Sequence, residues 1–142
     1  MDPALDTCLR FVISSDFVEG RRVQRRILDE VARQHYGPDA IFAIRLSLEE
    51  ALINAIKHGN KLDSGKVVRV EASIGPEAAE IVVEDEGVGF ERACVPDPTT
   101  SENVERLHGR GIRLMESYMD EVNYLRGGRR IRMVRHNDGA GR

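Results

Sequence analysis

The sequence predicts an α+β fold, a two-layer α/β sandwich in which a mixed, mainly antiparallel sheet is covered on one face by helices. Three observations carry this. Two stretches with helical apolar spacing, residues 17–35 and 39–58, follow one another directly. Two strand–turn–strand patterns, within 66–85 and 122–135, read as hairpins and so as antiparallel pairs. The strands and helices do not alternate, which excludes a doubly wound parallel sheet.

Residues 8–14 alternate as a strand, with Leu9, Phe11 and Ile13 on one face. Ser15 and Asp16 offer an N-cap, and Asp16 with Glu19 has capping-box spacing. The first helix, 17–35, carries a core stripe of Val23, Ile27 and Val31 with Leu28 beside it. Arg21, Arg22, Arg25, Arg26 and Arg33 fill much of the rest. A solvated basic face is the favoured reading over a protein-docking or nucleic-acid surface, because no aromatic side chains interleave with the arginines. Gly37 ends this helix, and Pro38 suits the first turn of the next, where a missing N–H costs nothing. That second helix is expected to stop at Gly59 in a left-handed cap. Residues 66–74 form a strand with Val68, Val70, Ala72 and Ile74 on one side. Gly75-Pro76-Glu77 turns the chain into a second strand, 80–85. Residues 91–107 lack periodicity, which in a compact domain marks a functional or mobile loop. A helix over 112–119 follows, with Ile112, Met115 and Met119 on one side. Strands 122–126 and 130–135 close the chain around a two-residue turn, Gly127-Gly128, and 137–142 read as a frayed tail.

The 142 residues suffice for one domain with a proper core. A net charge of −3 does not favour nucleic acid or an anionic membrane. No apolar run approaches the roughly 20 residues of a membrane span, and the N-terminus lacks the pattern of a secretory signal. Cys8 and Cys94 have no metal-ligand spacing and read as free thiols in a reducing cytosol, so a cytoplasmic protein is expected.

The second helix is apolar almost all round, yet Glu50 and Asn54 interrupt it four residues apart on one face. The stripe is either the solvated side or the wall of a pocket whose ligand completes its hydrogen bonds. Two further segments could converge on it. Asp85-x-Gly87-x-Gly89 follows a core strand, where an Asp could accept a hydrogen bond from an exocyclic amine. Gly109-x-Gly111 opens a helix, whose free N–H groups suit an anion. Taken alone, each is an ordinary turn or helix entry. Together, with an Asn oxygen able to ligate Mg²⁺, they describe a nucleotide site without a P-loop, whose signature is absent.

These residues carry a resemblance to the GHKL ATPase superfamily, and within it to the anti-sigma factor serine/threonine kinases of bacterial partner switching. The run Glu50-Ala51-Leu52-Ile53-Asn54-Ala55-Ile56-Lys57-His58-Gly59 is similar to the family's N box. Asp85-Glu86-Gly87-Val88-Gly89-Phe90 resembles its G1 box, and His108-Gly109-Arg110-Gly111-Ile112-Arg113-Leu114-Met115 its G2 box. The likeness spans about residues 11–133. It implies a single Bergerat-fold ATP-binding domain over 1–142, with an ATP lid at about 91–108. It implies that Glu50 is the general base on a substrate hydroxyl and that Asn54 ligates Mg²⁺. Lys57 and His58 then border the ATP site, and Asp85 accepts from the adenine amino group. Gly87 and Gly89 let the backbone close over the base, while Gly109, Arg110, Gly111 and Ile112 lie at the phosphates. One departure stands out: the family's Gly-Thr pair opening the last strand is here Gly128 followed by Arg129 and Arg130.

The function that follows is an ATP- and Mg²⁺-dependent protein serine/threonine kinase and anti-sigma factor. Its expected partners are a sigma factor and a STAS-domain anti-anti-sigma protein, and it is expected to be a homodimer without direct contact to nucleic acid or membrane. The alternative is a non-catalytic ATP-binding switch that works by protein binding only. A nucleic-acid-binding regulator, suggested by the arginines, is opposed by the acidic charge and the missing stacking aromatics.

Overall fold

A computed structural model describes residues 6–87 and 111–137. Their strands are β1 (Thr7–Ser14), β2 (Val67–Ile74), β3 (Ala78–Glu84), β4 (Glu121–Leu125) and β5 (Arg130–His136). Their helices are α1 (Phe17–Arg33), α2 (Pro38–Ile53) and α3 (Gly111–Tyr118). The strands form one sheet in the order β1-β2-β3-β5-β4, and all four pairings are antiparallel.

Register follows from the apolar alternation, because a one-residue slip would turn each strand's core face to water. One row, Phe11, Val70, Val83, Ile131 and Tyr124, crosses all five strands. The next, Leu9, Ala72, Ile81, Met133 and Val122, runs beside it. Against these rows lie Val23, Ile27 and Val31 of α1 and Ile44, Leu48 and Ala51 of α2, all buried. Each fully buried Ile or Leu contributes about 1.5–3 kcal/mol of apolar burial. The opposite face of the sheet carries Arg10, Glu71, Arg132 and Asn123 in one cross-strand row. It holds an ion pair from Arg132 to Glu80, at 2.6 Å. The antiparallel sandwich with helices on one face is therefore borne out.

Several boundaries differ from the sequence expectation. Asp16 caps α1 as expected, its carboxylate accepting from the Val18 N–H at 2.8 Å. Glu19, however, accepts from the Ser14 hydroxyl at 2.7 Å. α1 ends not at Gly37 but through His35, at φ 63°, and Gly37 becomes the extended N-cap of α2 with Pro38 first in the helix. The final hairpin turns through four residues rather than two, since Leu125 pairs with Arg130 and Arg126, Gly127 and Gly128 all have positive φ. The longer loop has a purpose: it presents the Arg129 carbonyl to the Asp85 N–H at 2.9 Å.

The largest difference is at the end of α2. The helix does not run on to a left-handed Gly59. It widens at Asn54 into a π-helical turn, Asn54–Gly59, closed by the Asn60 N–H on the Ala55 carbonyl at 2.9 Å. The left-handed residues come later, at Lys61 and Leu62, with φ of 52° and 60°. π turns concentrate at functional sites because they re-aim the side chains that follow.

Candidate functional site

β3 delivers Asp85 to the end of α2. Asp85 is 8% exposed, and its carboxylate Oδ1 accepts the Gly87 N–H at 2.8 Å. Its face lies against Gly59, where a β-carbon would overlap the carboxylate. A β-carbon on Gly87 would in turn overlap the Gly59 carbonyl. Both glycines are thus required by close approach: Gly59 for a reason other than the left-handed cap that its sequence position suggests, and Gly87 to fit against the Gly59 carbonyl. Burial pushes the Asp85 carboxyl up to about 6, against the lowering effect of the Gly87 N–H. Arg129 and Lys66 also lower it, and Glu84 raises it. Since Oδ1 is engaged by Gly87, Oδ2 is the oxygen left to accept from a ligand.

Asn60 holds this corner together and is not identified by any motif. It is fully buried. Its amide donates to the Ser15 hydroxyl at 3.0 Å and the Val67 carbonyl at 2.9 Å, and accepts the Glu86 N–H at 2.8 Å. Ser15 donates onward to the Lys66 carbonyl at 3.0 Å. One side chain therefore joins the ends of β1, β2, β3 and α2. The sequence signal was slight: an Asn placed directly after a helix-ending Gly reads as a loop residue.

Glu50 and Asn54 are both half-buried, which places the stripe between the two readings left open by the sequence. Asn54 opens the π turn that Gly59 closes, so a single turn links the Asn54 amide to the Asp85 contact. Ala55 and Ile56 hold the opposite side of that turn in the core. His58 is exposed. Lys57, also exposed, lines a cleft of about 350 Å³ between α1 and α2, together with Phe17, Arg21, Glu49 and Ile53. Glu49 lines this cleft and precedes Glu50 in α2.

α3 is described from Gly111, and Ile112 follows it in the helix. Met115 and Met119 bury its inner face. Tyr118 is fixed edge-on to Phe42 of α2, ring centroids 5.7 Å apart, with the Arg45 guanidinium over Phe42. Gly89, Gly109, Arg110 and the lid at 91–108 lie outside the described residues. Among the described residues no group of three His, Cys, Asp or Glu could hold a metal. Among the described residues no helix is long and apolar enough to cross a membrane.

An anti-sigma F factor from Clostridium perfringens is 42% identical over 82 residues, covering 56% of this chain and 58% of its own length. One from Halalkalibacterium halodurans is 39% identical over 90 residues, 61% of each chain. One from Anoxybacillus flavithermus is 33% identical over 104 residues, 69% of this chain and 70% of its own. The first two matches thus span about three-fifths of the relatives' length. The family model of the histidine kinase-like ATPase domain matches residues 15–135, the segment that holds Glu50, Asn54, Gly59, Asp85 and α3, and the chain belongs to that family.

Proposed function

We propose that this protein is an ATP- and Mg²⁺-dependent serine/threonine kinase that also serves as an anti-sigma factor. It would bind a sigma factor in one state and phosphorylate a STAS-domain anti-anti-sigma protein in the other, acting as a homodimer. The observation that carries this reading is one helix end presenting two chemistries. The Asp85–Gly59–Gly87 corner offers a buried acceptor and close backbone approach, which suit a purine amino group. Earlier in the same helix lie a carboxylate, Glu50, and an amide oxygen, Asn54.

In this reading Asp85 Oδ2 accepts from the adenine amino group, and the α3 N-terminus faces the phosphates. Asn54 would hold Mg²⁺, which when bound neutralises phosphate charge. Glu50 accepts the proton of the acceptor hydroxyl as its oxygen bonds to the γ-phosphorus. The β–γ bridging oxygen departs with the bonding pair as ADP. Phosphoryl transfer asks mainly for such positioning, plus one group to take the proton. The α1–α2 cleft, lined by Phe17, Glu49, Ile53 and Lys57 on the helices that lead to Glu50 and Asn54, suits the STAS segment that flanks the acceptor hydroxyl.

The test is incubation of the protein with labelled ATP, Mg²⁺ and a purified STAS-domain protein from the same genome. Label should move to a serine or threonine. Glu50→Gln should abolish transfer and keep nucleotide binding, and Asn54→Ala should remove the Mg²⁺-dependent part of that binding. Nucleotide-dependent stabilisation without any transfer would establish a switch that works by binding alone. Absence of both would overturn the nucleotide reading.

A further inference from the structure

The polar stripe of α2 has a third member. Ser47 is fully buried, and its hydroxyl has no hydrogen-bond partner. At about 100° per residue, Ser47, Glu50 and Asn54 fall within an arc of about 60° on the helix surface. A serine inside a helix ordinarily bonds back to the carbonyl four residues earlier. Ser47 does not bond to Ala43, although a buried hydroxyl left unpaired is costly. Glu50 is half-buried and, among the described residues, its side chain makes no hydrogen bond or ion pair. Helical side chains lean toward the N-terminus, which directs the Glu50 side chain toward the turn that carries Ser47, although the two are not hydrogen-bonded in this structure. Two unsatisfied groups of complementary chemistry, a donor and a carboxylate acceptor, therefore sit one turn apart at the edge of the core.

We propose that Ser47 is the positioning residue for Glu50, its hydroxyl donating to one carboxylate oxygen directly or through one buried water. This rests on the kinase reading above. The bond holds the carboxylate in one orientation and leaves the second oxygen free for the proton of the acceptor hydroxyl. A hydrogen bond from a neutral hydroxyl to a carboxylate is short and strong, and a bridging water serves nearly as well. Burial of Ser47 keeps bulk water from competing for it.

Two measurements test this. The first is the crystal structure, at a resolution that shows ordered water, of the protein with Mg²⁺ and a non-hydrolysable ATP analogue. The wild type should show Ser47 Oγ on Glu50 directly or through one water, with Glu50 in a single conformer, and Ser47→Ala should show Glu50 in several. Ser47 bonded to the Ala43 carbonyl in a dry site, or Glu50 equally ordered in both proteins, would overturn the proposal. The second is transfer kinetics. Ser47→Ala should lower kcat about tenfold, the low end of what loss of an orienting group costs, with the nucleotide Kd unchanged. Ser47→Thr, which keeps the hydroxyl, should restore it. Equal loss in both variants would mean that Ser47 only packs. If the wild type transfers no phosphate, the kinase reading fails on its own, and the order of Glu50 in the two crystals still decides the role of Ser47.

Discussion

Gly59 and Asp85 meet so closely that a β-carbon on the glycine would overlap the carboxylate. The contact joins the π turn to the end of β3 and fixes the direction in which Asp85 presents its free oxygen. Gly59→Ala should therefore displace the carboxylate, costing about 1–3 kcal/mol of stability and most of the nucleotide-dependent rise in Tm. Gly87→Ala meets the Gly59 carbonyl, which is backbone and yields less readily than a side chain. It should be the more destabilising of the two. Thermal melts of both variants with and without Mg-ATP check the order.

Asp85 trades stability for binding. Its carboxyl titrates near 6 in the folded protein against 3.8 as the ordinary value, chiefly because of burial. Above pH 6 the group is ionised in both states and the folded state bears the cost of desolvation. Below the ordinary value it is neutral in both and the cost disappears. This group alone thus makes the protein more stable as pH falls from about 6 to about 4. Asp85→Asn should stabilise the nucleotide-free protein by about 1–3 kcal/mol at pH 7.5 and remove that slope. It should also abolish adenine binding, because its amide nitrogen would face the adenine amino group once its oxygen accepts from Gly87. Glu30, held below the usual carboxylate range by its hydrogen bond from Arg33, acts in the opposite sense as pH falls. The difference between denaturation curves of wild type and Asp85→Asn isolates Asp85.

The sheet was legible because its strands alternate cleanly and a slip would expose every apolar side chain. Glu50, Asn54 and Asp85 stand out as candidates in the sequence because a polar group in an apolar run has to be explained by a partner. The π turn was not, since helical and π spacing place Ala55 and Ile56 on the buried side alike. Nor was the cause of Gly59, which lies in a contact with a residue far along the chain rather than in its own backbone angles. Asn60 was missed for the same reason: its three partners come from three other segments. Lys57 was placed near ATP by its position in a motif, and the structure sets it in the α1–α2 cleft.

Asn60→Ala should be among the most destabilising single polar substitutions at the site. It takes the partner from the Glu86 N–H and the Val67 carbonyl in a part-buried corner, at about 1–3 kcal/mol in total. Asn60→Asp keeps the acceptor for Glu86 but loses both donated bonds and buries a charge, so it should be no better. Urea unfolding should give a lower midpoint for both variants with an unchanged slope.

The cleft between α1 and α2 separates docking from chemistry. Phe17 stands at its rim, 36% exposed, on the first turn of α1. Phe17→Ser removes an apolar contact surface while leaving Asp16, the cap of α1, and the Glu50–Asn54 stripe in place. Stability should change by less than about 1 kcal/mol, as for a surface substitution, and the nucleotide Kd should not change. Binding of the STAS partner, measured by titration calorimetry, should weaken about tenfold or more, because aromatic side chains dominate such interfaces. Arg21→Glu reverses charge on the same wall without touching the core, and it should slow association in a salt-dependent way. Unaltered partner affinity in both variants, with nucleotide binding intact, would move the docking surface away from this cleft.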